Sequence, residues 1–109
     1  MNYRVFTIPQ FEKDVKRLSK KFKNIKRDLR VLINMLKENP KEGTHLGNGV
    51  YKIRLANSSI PIGKSGGFRV ITYLIDEEKK VYLLSIYSKT QQDTISDNDL
   101  KEILKYFDF

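Results

Sequence analysis

Residues 50–73 read VYKIRLANSSIPIGKSGGFRVITY, two segments of strand character around a polar, glycine-rich loop. From Val50 to Ala56 the apolar Tyr51, Ile53 and Leu55 alternate with Lys52 and Arg54, the period of two expected of a strand with distinct faces. Asn57 to Gly67 reads as the loop and Phe68 to Ile75 as a second strand. Four cations lie along the stretch (Lys52, Arg54, Lys64 and Arg69), and no acid stands between Glu42 and Asp76. Sheet surfaces usually mix charge signs, because like charges directly opposite across two strands destabilise the pair. A segment that keeps only cations points to anions supplied by a partner, phosphate first among them.

Downstream, Val81 to Ser88 is a third strand, joined through the acidic turn Asp76-Glu77-Glu78 to make a β-meander. Ser96, with Asp99 three residues on, resembles a capping box. Leu100, Ile103, Leu104 and Phe107 then mark a short amphipathic C-terminal helix. Upstream, Asn2 to Ile8 alternates as a short strand, and Pro9 suits a first helical turn. Phe11, Val15, Leu18, Phe22, Ile25, Leu29, Leu32 and Leu36 follow at alternating spacings of four and three, the period of an amphipathic helix. Unbroken, that helix would run about 40 Å, too long for a domain of this size. That length predicts a break around Lys20–Asn24 and an antiparallel helical hairpin, with Asn24 as N-cap of the second helix. Asn39-Pro40 ends that helix, since the residue before proline resists the helical region. Lys41 to Gly49, with three glycines and the only histidine, His45, reads as a turn-rich connector. The order is β-α-α-β-β-β-α, an α+β fold in one domain over residues 1–109.

Composition narrows the function. The absence of cysteine removes disulfides, thiolate chemistry and cysteine-ligated metals, and fits a reducing compartment. No apolar run approaches the roughly 18 residues of a membrane span, and the first residues hold no apolar signal core. A soluble, cytoplasmic protein without a membrane partner is expected. The net charge of +8 is unevenly spread. Residues 1–37 carry 11 Lys and Arg against 3 acids, whereas residues 38–109 carry 10 of each. Lysines on a helical hairpin often serve only as a solvated face. Here they form a second basic region beside the central strands.

Several familiar sites are excluded. Gly63-Lys64-Ser65 is not a Walker loop, because Ser58 stands where the first glycine belongs and a strand, not a helix, follows. His45 alone supplies neither a two-histidine acid–base pair nor a multi-histidine metal site. Asp76, Glu77 and Glu78 are consecutive and diverge, and Asp93, Asp97 and Asp99 read as helix-start chemistry. No metal or cofactor is expected. What remains is strand parity. Lys52 and Arg54 share a face, Arg69 shares one with Ile71 and Tyr73, and Tyr87 shares one with Lys89. Strands paired in order bring these groups together near one end of the sheet.

The segments YKIRLA, GKSGGFRVITYLI, VYLLSIYSKTQQDTI and DLKEIL, in that order, resemble the RelE/ParE superfamily of toxin–antitoxin toxins, and within it the HigB-like branch of RelE. The likeness is strongest over about residues 49–105. It implies a small RelE-like fold in which a helical hairpin packs an antiparallel-rich sheet. It also implies a type II toxin that cleaves translated mRNA in the ribosomal A site and is neutralised by a cognate antitoxin, of helix-turn-helix type in this branch. Lys52 and Arg54 fall where RelE toxins carry basic residues, and Arg69 matches the arginine after the loop. Lys64 matches the lysine of a Gly-Lys-x-Gly-Gly loop, and Tyr87, Lys89 and Asp93 match a Tyr-x-Lys-x-x-x-Asp signature. Gln91 departs from the glutamate usual in that signature, and the late arginine and C-terminal tyrosine of RelE have no clear counterpart.

The resemblance assigns Lys52, Arg54, Arg69, Tyr87 and Lys89 to catalysis, with Asp93 in support. RNA binding falls to Lys64 and to Lys20, Lys21 and Lys23, the last three on ribosomal RNA. Two rivals share the fold or the charge: a ParE-like gyrase inhibitor and a non-catalytic RNA-binding protein.

Overall fold

The computed structural model describes residues 2–61, 63, 66–90 and 96–107. The first strand, β1 (Arg4–Thr7), leads into α1 (Pro9–Ser19) and α2 (Ile25–Glu38). Four strands follow, β2 (Thr44–Gly47), β3 (Val50–Leu55), β4 (Phe68–Ile75) and β5 (Lys80–Ser88), and then α3 (Asp97–Leu104). Short 3-10 turns, Asp76–Glu78 and Lys105–Phe107, join β4 to β5 and close the C-terminal segment. No helix among the described residues is long and apolar enough to cross a membrane.

The helical run breaks at residues 20–24, where the length of an unbroken helix against the size of the domain predicts it. Pro9 occupies the first turn of α1, and α1 and α2 are separate helices on either side of residues 20–24. Asn24 stands at the N-cap position of α2 but does not cap it with its side chain. Its Nδ2 instead donates to the Ser58 carbonyl at 3.3 Å, and its backbone N–H donates to Ser59 Oγ at 2.9 Å. The residue thus joins the hairpin to the segment after β3, a task that no local pattern announces. At α3 the cap is as expected, with Ser96 Oγ accepting from the Asp99 N–H at 3.0 Å.

The sheet order is β1-β5-β4-β3-β2. β3, β4 and β5 form the antiparallel meander, while β1 pairs with β5 in parallel, Val5 opposite Val81. β2, within the stretch read as a connector, is a fifth strand antiparallel to β3. It is four residues long and broken by a register shift between His45 and Gly47, so it shows none of the alternation that marks a strand in sequence. A second shift, at Ile71/Thr72, pairs Ile71 with Ser85 and Thr72 with Leu83, leaving Leu84 as the extra residue of a bulge in β5.

Phe11, Leu18, Phe22, Ile25, Leu32 and Leu36, from the two helices and the turn between them, are at most 3% exposed. They pack on the face of the sheet that carries Ile53, Leu55, Phe68 and Val70, with Phe22 edge-on to Phe68 at 5.5 Å between centroids. Each such side chain contributes about 1.5–3 kcal/mol relative to exposure. Alternation puts Lys52, Arg54, Arg69 and Tyr73 on the other face. There the C-terminal turn covers one end, Phe107 lying 4.9 Å from both Tyr73 and Tyr82. At that end Tyr3 donates its hydroxyl to Asp76, which holds the carboxyl below its ordinary 3.8. Burial, then the charge of Glu78, raises the Tyr73 phenol above 10.0.

Candidate functional site

Register places three of the singled-out residues in one row across the sheet. Arg54 on β3 is opposite Arg69 on β4, and Arg69 is opposite Tyr87 on β5. Lys52 lies on the same face, two residues along β3 from Arg54 and opposite Ile71. Arg54 is exposed, Lys52 half-buried, and Arg69 and Tyr87 are 6% and 3% exposed. One Arg69 guanidinium nitrogen donates to the Phe68 carbonyl at 3.3 Å. Lys89 follows β5, and its backbone N–H donates to the Gly67 carbonyl at 2.9 Å, tying the end of β5 to the base of the loop before β4. On its other side Gly67 permits the close approach of the end of β3, since a Cβ there would stand 2.3 Å from the Leu55 carbonyl oxygen. Lys64 and Asp93 lie outside the described residues.

Lys20, Lys21 and Lys23 are exposed on the connection between α1 and α2. Phe22, between them, packs on Phe68, the immediate neighbour of Arg69, so this basic turn sits at the same end of the sheet as the row. It lies on the opposite face. The acidic turn Asp76–Glu78 is at the far end of β4, where Ile75 pairs with Lys80. Among the described residues, no carboxylate pairs with Lys52 or Arg54. Two arginines directly opposite one another repel, and a phosphate oxygen set between them would relieve that repulsion.

No group of three or more His, Asp and Glu side chains comes together to hold a metal among the described residues. His45 stacks on Tyr51 at 4.7 Å, and its Nε2 accepts from the Gly49 N–H at 3.4 Å, so it is engaged in the β2–β3 turn. One buried group next to the row had no signal in the sequence beyond its acidity. Asp14 on α1 is 4% exposed and accepts from Ser85 Oγ and the Ile86 N–H on β5, at 2.9 and 3.2 Å. An acid one turn from Arg17 looks like an ordinary helix-surface pair, and only the fold shows that it faces a strand.

A family model, described as the RelE toxin of the RelE/RelB toxin–antitoxin system, matches residues 3–107. The chain belongs to the RelE toxin family. Solved RelE structures share its fold. A double arginine-to-alanine mutant of the E. coli toxin RelE in the free state is 20% identical, with a TM-score of 0.62 over 97% of this chain and 98% of that one. A mutant of E. coli RelE in complex with a peptide of the antitoxin RelB is 19% identical, with a TM-score of 0.52 over 94% of each chain. The Mycobacterium tuberculosis toxin–antitoxin complex RelBE2 gives 18% identity and a TM-score of 0.52 over 81% of this chain and 92% of that chain. This RelE-family chain is therefore a toxin of a toxin–antitoxin system built on the mixed α+β RelE fold.

Proposed function

We propose that this RelE-family toxin is a ribosome-dependent mRNA endonuclease that arrests translation and growth by metal-independent cleavage. The row Arg54–Arg69–Tyr87, with Lys52 beside it and no carboxylate paired with Lys52 or Arg54 among the described residues, carries the reading. Such cleavage has a ribose 2′-oxygen attack the adjoining phosphorus, break the bond to the 5′-oxygen, and leave a 2′,3′-cyclic phosphate. The 2′-hydroxyl must lose a proton, the phosphorane must be stabilised, and the 5′-oxygen must gain a proton.

Arg54 and Arg69 serve the second need by donating to the phosphorane oxygens in a fixed row. Lys52, half-buried on the same face and two residues along β3 from Arg54, is the proton acceptor. Between Tyr87 and Lys89, the half-exposed Lys89 is the better donor to the leaving oxygen, and the buried Tyr87 supports Arg69. Lys20, Lys21 and Lys23 hold ribosomal RNA from the same end of the sheet, with Lys64 on the message and Asp93 in support. A cognate antitoxin neutralises the toxin, as the complexed relatives indicate by analogy. The Gly63–Gly67 loop and the spacing of Tyr87, Lys89 and Asp93 favour the HigB-like branch and a helix-turn-helix antitoxin.

The test is induced expression in cells followed by 5′-end mapping of mRNA. Cuts in frame within translated codons are expected, and Arg69→Ala should stay folded and lose growth arrest. Intact mRNA accompanied by DNA damage would replace this reading with gyrase inhibition. A folded Arg69→Ala variant of full toxicity would remove Arg69 from the site.

A further inference from the structure

The geometry points to Asp14 as a positioning residue that sets the register of the catalytic end of β5, an inference that rests on the nuclease reading above. β1 ends at Thr7, opposite Leu83, so β5 beyond that point has no β1 partner on its outer edge. On its inner edge, the ladder to β4 is interrupted by the bulge at Leu84. The segment Ser85–Ser88 is thus held by one ladder only, to β4 beyond the bulge, and it carries Tyr87 and leads into Lys89. A strand that can slip or twist here moves Tyr87 relative to Arg69.

Asp14 supplies the missing edge partner. Its Oδ2 accepts from the Ile86 N–H at 3.2 Å and from Ser85 Oγ at 2.9 Å. Its Oδ1 accepts from Gln10 Nε2 at 2.9 Å and from the Arg17 guanidinium at 3.3 Å. Two bonds fix the carboxylate to α1 and two fix β5 to the carboxylate. The group borders a cleft of about 250 Å³ that Tyr87 also lines. Burying a carboxylate is costly unless its oxygens are satisfied. Here they are satisfied by the backbone and hydroxyl immediately before a residue of the row. An apolar residue on α1 would cover the same edge but could not hold the Ile86 N–H.

A purely stabilising contact and a positioning one separate in kinetics measured well below each variant's melting temperature, where every variant is folded. We would purify wild type, Asp14→Ala, Asp14→Asn and Asp14→Glu, record their melting curves, and measure cleavage of mRNA on programmed ribosomes. Displacing a reacting group by about 1 Å can cost roughly 100-fold. Asp14→Ala is therefore expected to lose roughly 10- to 100-fold in kcat with KM within about twofold, because the basic turn at Lys20–Lys23 is untouched. Asp14→Asn keeps an oxygen for Ile86 and Ser85 and should recover most of the rate. Asp14→Glu keeps the charge but moves the oxygens and should not. That contrast stands even if the alanine variant fails to fold. A folded Asp14→Ala with wild-type kcat, or an active Asp14→Glu beside an inactive Asp14→Asn, would overturn the assignment alone. Wild-type protein that leaves the message intact would overturn the nuclease reading and this inference with it.

Discussion

Arg54 and Arg69 face one another across β3 and β4, and replacing either should relieve a repulsion that the free protein stores. Directly opposite residues on one face have Cβ atoms about 4.5–5.5 Å apart, so their guanidinium charges are on the order of 6 Å apart. With one arginine exposed and the other buried, an effective dielectric constant of about 40–80 gives roughly 0.7–1.4 kcal/mol before screening. With a Debye length of about 10 Å at 0.1 M salt, about 0.4–0.8 kcal/mol remains, and at 1 M, where that length is about 3 Å, less than ~0.2 kcal/mol. Single substitutions also lose packing, and Arg69→Gln loses the bond to the Phe68 carbonyl, so the pair term must come from a double-mutant cycle. Urea unfolding of wild type, Arg54→Gln, Arg69→Gln and the double variant at both salt concentrations measures it. A coupling near zero, an attractive one, or a repulsion that survives 1 M salt would refute the idea that the row is held against its own charge. A repulsive, salt-sensitive term would mean that the site gives up stability for a surface completed by phosphate.

On the basic turn, Lys20→Glu with Lys21→Glu should weaken ribosome binding and flatten its salt dependence, each lost phosphate contact removing roughly 0.9 from the log–log slope on duplex. An unchanged slope would make these lysines solubilisers. Tyr3→Phe should be less stable than wild type at neutral pH, because the Tyr3 hydroxyl holds Asp76 below 3.8. A depressed carboxyl stabilises above its unfolded value and loses that contribution as pH falls through its folded one, so the gap should close in acid. Melting curves at pH 7 and pH 3 check this, and a gap independent of pH would contradict it. Gly67→Ala should cost about 1–3 kcal/mol in urea unfolding, because its Cβ would meet the Leu55 carbonyl oxygen at 2.3 Å; a neutral substitution would mean that β3 and β4 part freely there.

The sequence showed most plainly what repeats. Eight apolar residues at helical spacing gave the hairpin, and alternation from Val50 and Phe68 gave the meander, because burial against one face imposes a period on the chain. Parity then carried Arg54, Arg69 and Tyr87 to one face, and register brought them into one row. What did not repeat was not legible. β2 has four residues and a break, too short to show a period. β1 pairs in parallel with a strand more than seventy residues away, which no local pattern encodes. Asn24 and Asp14 are polar residues whose partners, Ser58, Ser59, Ser85 and Ile86, lie far along the chain. Local reasoning read Asn24 as a cap and assigned Asp14 nothing, and tertiary contacts gave each its role.

The position of β5 has a consequence for how the protein comes into being. It is the last strand made and an interior strand of the sheet, between β1 and β4. Until it arrives, β1 has no partner, the apolar side of the hairpin has only part of its cover, and the row has no third member. Closure joins Arg4 to Lys80, a long loop whose entropy must be lost before the contact gives anything back. Folding should therefore be slow and late, with few partial forms that hold a finished site. On the proposed nuclease reading, a chain still emerging from a ribosome would be harmless to it, and a point mutation that weakens β1 would delay the onset of toxicity rather than blunt the finished toxin.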